Sequence, residues 1–144
     1  MTVRAFTGPS LLSPLQKYEV ASRILQSPVK AERWISGCAY GVDSIVAYLA
    51  MAVDVELTLM VPFARHNGTL LRELAQNAHV VRCAKGRTTA DSYRIRNRDM
   101  VLDADHLHAF VKQPSFYRSG EWMTINMARE RRIPVLIEVI GDIG

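Results

Sequence analysis

The sequence is poor in cysteine and has no long apolar run, and each lack narrows what it can be. Two thiols in 144 residues, Cys38 and Cys83, stand without a CxxC spacing or a nearby histidine pair, which argues against both a zinc site and a disulfide framework. Buried or half-buried free thiols are expected instead. No apolar run approaches the roughly 20 residues that cross a bilayer. The opening Met1-Thr2-Val3-Arg4 carries no secretory h-region, so a cytoplasmic protein with no membrane contact is expected. His106 and His108 share one face of an expected strand, but no third ligand is spaced to join them, so no metal and no cofactor are assigned. There is no internal repeat and no low-complexity segment.

What is present suits one globular domain over residues 1–144, because 49% hydrophobic and 22% charged residues can build a sizeable core at this length. The net charge of +4 is local. Between residues 82 and 98, Arg82, Lys85, Arg87, Arg94, Arg96 and Arg98 face the single acid Asp91, so this segment carries +5 and the other 127 residues sum to −1. Such a run reads either as a solvated basic face or as a site for phosphates or a nucleic-acid backbone.

Hydrophobic periodicity sets out alternating strands and helices. Strands are expected at Val3–Thr7, Glu32–Ile35, Val55–Val61, His79–Arg82, His106–Val111 and Pro134–Ile140. Ser13-Pro14-Leu15-Gln16 is a helix start with an N-cap serine, proline at the first position and glutamine three after the cap, opening a helix that runs to about Gln26. Further helices are expected over Val42–Val53, Asn67–Gln76, Thr89–Leu102 and Ser119–Arg131, with a loop at 112–118. Six strands interleaved with helices, the last strand almost wholly apolar and read as buried, indicate an α/β fold: a Rossmann-like three-layer sandwich with a mostly parallel sheet of about six strands.

In such folds ligands bind beyond the carboxyl ends of the strands. That rule brings together Thr7-Gly8-Pro9, the turn Ser36-Gly37-Cys38-Ala39-Tyr40-Gly41-Val42-Asp43, Pro62-Phe63-Ala64 and the helix opening at Ser119-Gly120. Two glycines four apart allow a sharp turn and close approach to a ligand, and the opening N–H groups of the next helix suit an anion. Arg96 is the expected phosphate arm, since guanidinium binds phosphate in a bidentate fork. Arg98 lies two residues on, so the two arginines point in different directions, one toward a ligand and the other toward solvent or an acid such as Asp99 or Asp103. Asp43 has two readings, a partner for its helix dipole or for a ribose hydroxyl; Ser119 is a cap or, with Gly120 and Thr124, part of a phosphate seat. Tyr40 either stacks on a base or packs. Trp122, Met123 and Met127 are expected in the core or at a homodimer interface.

Three elements carry a family resemblance. The Ser36 to Asp43 turn resembles the SGxAxGxD signature of the DNA-processing protein A family, Arg96-Asn97-Arg98 is similar to its RNR element, and Ser119-Gly120 with Thr124 and Ala128 resembles its SGxxxTxxxA helix start. The wider superfamily of nucleotide-sensing Rossmann-like proteins also contains the LOG-type, "lysine decarboxylase-like" phosphoribohydrolases, whose RKxxM element Arg96 and Met100 resemble. The resemblance implies a nucleotide or nucleotide-derived ligand; with the strand-end rule, the expected contacts are Thr7, Gly8, Ser36, Gly37, Tyr40, Gly41, Asp43, Arg96, Asn97, Arg98, Ser119, Gly120 and Thr124. Two alternatives accompany it: N-glycosidase action on a nucleoside monophosphate, with Arg96 and Glu121 as catalytic candidates, and single-stranded DNA binding. Asn126 and Met127 stand where the LOG pattern has two glutamates, so no catalysis is the expectation.

Overall fold

A computed structural model describes residues 1–112 and 120–141. Six strands, β1 (Val3–Thr7), β2 (Arg33–Ser36), β3 (Glu56–Val61), β4 (Val80–Cys83), β5 (His106–Val111) and β6 (Val135–Val139), form one sheet in the order β4-β3-β2-β1-β5-β6. All five pairings are parallel, so the sheet is wholly rather than mostly parallel. Five helices cover it: α1 (Pro14–Gln26), α2 (Val42–Ala52), α3 (Gly68–Ala75), α4 (Thr89–Leu102) and α5 (Gly120–Glu130).

Period-two alternation along the strands divides the core between two layers. Phe6, Trp34, Leu57, Leu59 and Phe110 pack with Val20 and Ile24 of α1, Val46 and Ala50 of α2, and Leu70 and Leu74 of α3. Their strand neighbours Ala5, Ile35, Met60, Leu107 and Ala109 point the other way, onto Met100 and Val101 of α4 and Trp122, Ile125 and Ala128 of α5. The α/β Rossmann-like sandwich read from the sequence is the observed fold.

Local signals set several boundaries. At α1 the capping box forms in full: the Gln16 N–H donates to Ser13 Oγ at 3.1 Å and the Ser13 N–H to Gln16 Oε1 at 2.9 Å. Thr88 caps α4 by accepting the Asp91 N–H at 3.1 Å.

Two expectations need correction. The last strand is not buried: β6 is a sheet edge, paired only with β5, and Leu136 and Val139 remain 42% and 48% exposed. Cys38 is buried as expected but Cys83 is exposed, because β4 is the opposite edge and all four of its residues are exposed. Of the residues expected in the core or at an interface, Trp122 belongs to the core at 6% exposure and Met123 lies 42% exposed. No described helix is long and apolar enough to cross a membrane.

Candidate functional site

Strand order fixes where a ligand crevice can open. From β1 the chain steps outward through β2 and β3 to β4, then α4 carries it back across to β5 on the other side of β1, so the strand order reverses between the neighbours β1 and β5, a topological switch point. Thr7 ends β1 there. The α-carbon of Gly8 sits against the Val42 side chain with no room for a Cβ, which docks the opening of α2 on the end of β1. Gly41, at φ +77°, lies against Pro9 and Ser10, and the Val42 N–H donates to the Pro9 carbonyl at 3.1 Å. One of the helix-opening donors expected to face an anion is thus already taken.

Inside the turn, polar groups close on one another. Ser36 Oγ donates to the Asp43 carbonyl at 2.7 Å and accepts the Cys38 N–H at 3.3 Å. Asp43 Oδ2 accepts the Ala39 N–H at 3.2 Å. A Cβ at Gly37 would come within 2.7 Å of Arg96 Nη1 and 2.8 Å of Asp43 Oδ2, so only glycine lets both side chains reach this point. Arg96, 8% exposed, reaches it from α4: Nη1 donates to the Gly37 carbonyl at 2.5 Å and to the Met60 carbonyl at 3.4 Å, and Nε to Asn97 Oδ1 at 2.8 Å. Nη2 is the guanidinium nitrogen that makes no hydrogen bond to a described residue.

Electrostatics follow from this burial. The Asp43 carboxyl is pushed up to about 6 by burial, against the pull of Arg96 and the Ala39 N–H, with the charge of Glu121 adding to the rise. Burial, with Asp43 beside it, raises the Cys38 thiol to about 11, so it stays protonated at neutral pH and is no nucleophile.

An aromatic group that the sequence reading did not single out supports the turn. His66, buried after β3, meets Phe63 and Tyr93 edge-on at ring-centroid distances of 5.3 and 5.5 Å. The Arg96 guanidinium lies 5.5 Å from the Tyr93 ring centroid. Asn67 Nδ2 is 3.3 Å from the Cys38 carbonyl and 3.1 Å from His66 Nε2, which makes Nε2 the acceptor and leaves the proton on Nδ1, 3.3 Å from the Tyr93 hydroxyl. Burial, and then the charge of Arg96, lowers the His66 pKa, so the ring is neutral. Pro62-Phe63 was the available signal for this loop, whereas Tyr93 could have been found one helical turn before Arg96.

The expected residues therefore divide. Ser36, Gly37, Gly41, Asp43, Arg96 and Asn97 come together behind the turn, with Thr7 and Gly8 at the end of β1; Tyr40, 55% exposed, stands at its surface. Glu121 is half-buried and close enough to bear on Asp43. Gly120 is exposed, with open space where a Cβ would stand, while the Thr124 hydroxyl is used internally, donating to the Gly120 carbonyl at 3.0 Å. Arg98 is turned away, exposed on α4 and 3.6 Å from Asp99. Ser119 lies outside the described residues. Among the described residues no cluster of histidine, cysteine or acids is placed to hold a metal ion.

Known structures share this architecture. DNA processing protein A from Streptococcus pneumoniae matches 99% of the chain at a TM-score of 0.74 and 20% identity, and DNA processing protein A from Helicobacter pylori matches 94% at a TM-score of 0.70 and 20% identity. The latter structure concerns that protein's single-stranded DNA binding mode. The chain spans 51% of the pneumococcal chain and 64% of the other, and at this identity the likeness is one of fold. No protein-family model and no curated protein sequence matches it.

Proposed function

We propose that residues 1–144 form one Rossmann-like domain that binds a nucleotide or nucleotide-derived small molecule in the crevice between the carboxyl ends of β1 and β5. The observation that carries this reading is the gathering of Gly37, Asp43 and Arg96 at the switch point, with α5 opening beside them at Gly120 and Glu121. Arg96 supports a phosphate from its remaining Nη2, Tyr40 offers an exposed ring to a base, and Asp43 offers a carboxylate to a ribose hydroxyl. A titration with adenosine, guanosine, cytidine and uridine monophosphates, followed by backbone amide shifts, tests it. Saturable changes in residues 37–43, 96 and 120–124 are expected; changes confined to other regions would count against the crevice.

Binding without hydrolysis is the reading for catalysis. N-glycosidase chemistry needs a carboxylate beside an oxocarbenium-like sugar, and Asn126 and Met127, both half-buried, occupy the places of the LOG glutamates. Glu121 is the acid left for that role, and release of free base lost in Glu121→Gln would establish the enzyme instead.

A second reading has its own support. Lys85 and Arg87, at the carboxyl end of β4, and Arg94 and Arg98, four apart on α4, are all exposed, and the H. pylori neighbour is a single-stranded DNA binder. On this reading the basic rim follows a phosphodiester backbone past the crevice.

A homodimer belongs to the proposal, through α1. Leu15, Tyr18 and Leu25 of α1 are 61, 74 and 55% exposed, opposite the buried Gln16, Val20 and Ile24, and Leu11, just before the helix, is 78% exposed. A specific interface hides at least about 1,000 Å² in total, which such a pairing must reach. Light scattering is expected to give a dimer, and a monomer in Tyr18→Glu.

A further inference from the structure

The opposite edge of the sheet, at the amino ends of the strands, holds a second concave feature. Arg4 is the second residue of β1, in register with Trp34 of β2 and His106 of β5, and only 2% exposed. Its guanidinium carbon lies 4.6 Å from the Phe6 ring centroid and 5.6 Å from that of Trp34. Nη2 is 2.5 Å from His108 Nδ1, and His108 Nε2 is 2.7 Å from Glu138 Oε2, whose other oxygen accepts from Arg23 Nη1 at 3.2 Å. A guanidinium has no acceptor, so His108 Nδ1 accepts and Nε2 carries the proton given to Glu138. Burial lowers the His108 pKa, with the charge of Arg4 adding to it against the pull of Glu138, and the ring facing Arg4 is neutral.

Arg4 is thus a buried cation whose direct neighbours are uncharged. No described carboxylate lies within 4.0 Å of it. Its Nε and Nη1 have no hydrogen-bond partner among the described residues, and neither is sealed from the surface. Arg4 lines a cavity of about 270 Å³, walled by Ile24, Leu25, Val29 and Trp34, with Lys30 also on its lining and no acid. A buried charge with free donors is costly unless an anion or water answers it, and this cavity offers one cation within and one at the surface beside an apolar wall.

We infer that this cavity binds a small organic anion, a carboxylate with a short apolar tail, its charge met by Arg4 and Lys30 and its tail by Ile24, Leu25 and Trp34. One buried cation suits a single negative charge better than a dianion, and the aliphatic and indole walls give an acyl chain what a bare phosphate cannot use. The cavity is separate from the crevice at the carboxyl edge, and its occupancy does not depend on what binds there.

The test is an amide-shift titration of the full chain with hexanoate, hexanamide and inorganic phosphate at matched ionic strength. Hexanoate is expected to shift residues 4–6 and 27–34 saturably, with hexanamide and phosphate binding at least tenfold more weakly. Val29→Trp, which fills the cavity from its half-buried wall, and Lys30→Glu, at an exposed position, are expected to abolish and to weaken the response. Arg4→Met should also abolish it; because that variant alters the core, the two outer variants decide the matter if it fails to fold. No saturable shift, an equal response to hexanamide or phosphate, or binding that survives in folded Val29→Trp would overturn the inference.

Discussion

Arg96 and Gly37, 59 residues apart, are joined by a 2.5 Å hydrogen bond from the Arg96 guanidinium to the Gly37 carbonyl. That bond ties α4 on one layer to the glycine turn at the carboxyl edge. It makes Arg96 a strut of the site as well as its expected phosphate arm.

Removing the strut has a stability cost. Arg96→Ala leaves the Gly37 and Met60 carbonyls without their charged donor and Asp43 without its nearest cation, and a loss of about 2–4 kcal/mol is expected in urea unfolding. Arg96→Lys keeps the charge but not the fork, so an intermediate loss is expected. A loss below about 0.5 kcal/mol in Arg96→Ala would mean that the guanidinium is not engaged as described.

Asp43 gives the site a pH dependence of defined sign. Its carboxyl is raised from 3.8 to about 6 in the fold, so the folded state holds its proton more tightly than the unfolded chain does. Stability contributed by the neutral acid is full below about pH 4 and is lost as pH rises through about 6. Relative to Asp43→Asn, which keeps an acceptor for the Ala39 N–H, the parent protein is expected to lose on the order of 3 kcal/mol between pH 4 and 7. A constant difference between the two proteins across that range contradicts the assignment.

The basic segment tests the nucleic-acid reading separately. If Lys85, Arg87, Arg94 and Arg98 follow a phosphate backbone, oligothymidylate affinity should fall steeply with salt, and reversing Arg94 and Arg98 to glutamate should flatten the salt slope by about one to two. Fluorescence anisotropy at low salt is the measurement. Unchanged affinity in the double variant would remove these side chains from the contact.

Much of the fold was readable because strand and helix periods are local. Phe6 and Ala5, or Leu59 and Met60, part to opposite layers by alternation alone, and Ser13 with Gln16 writes its own cap. Edge and centre are not local properties. Leu136 and Val139 look like core until the sheet order leaves β6 with one neighbour. At the site Gly41 was legible because it answers to backbone geometry, whereas Gly37 is required by the Arg96 and Asp43 side chains that close on it, and His66 and Tyr93 meet across 27 residues through ring contacts that no spacing encodes. Arg4 was equally hidden: a lone arginine in a short strand gives no sign that its guanidinium lies under α1.

A crevice that takes a phosphate-bearing nucleotide is distinguished by thermal unfolding with a nucleotide and with the matching nucleoside. A nucleoside monophosphate at a hundred times its dissociation constant should stabilise the protein by about 2.7 kcal/mol, while the matching nucleoside at the same concentration should do far less. The shift should vanish in Arg96→Ala measured against that variant's own unliganded baseline. Equal shifts for nucleotide and nucleoside, or no shift for any nucleotide across the four bases, would mean that the crevice holds no nucleotide phosphate.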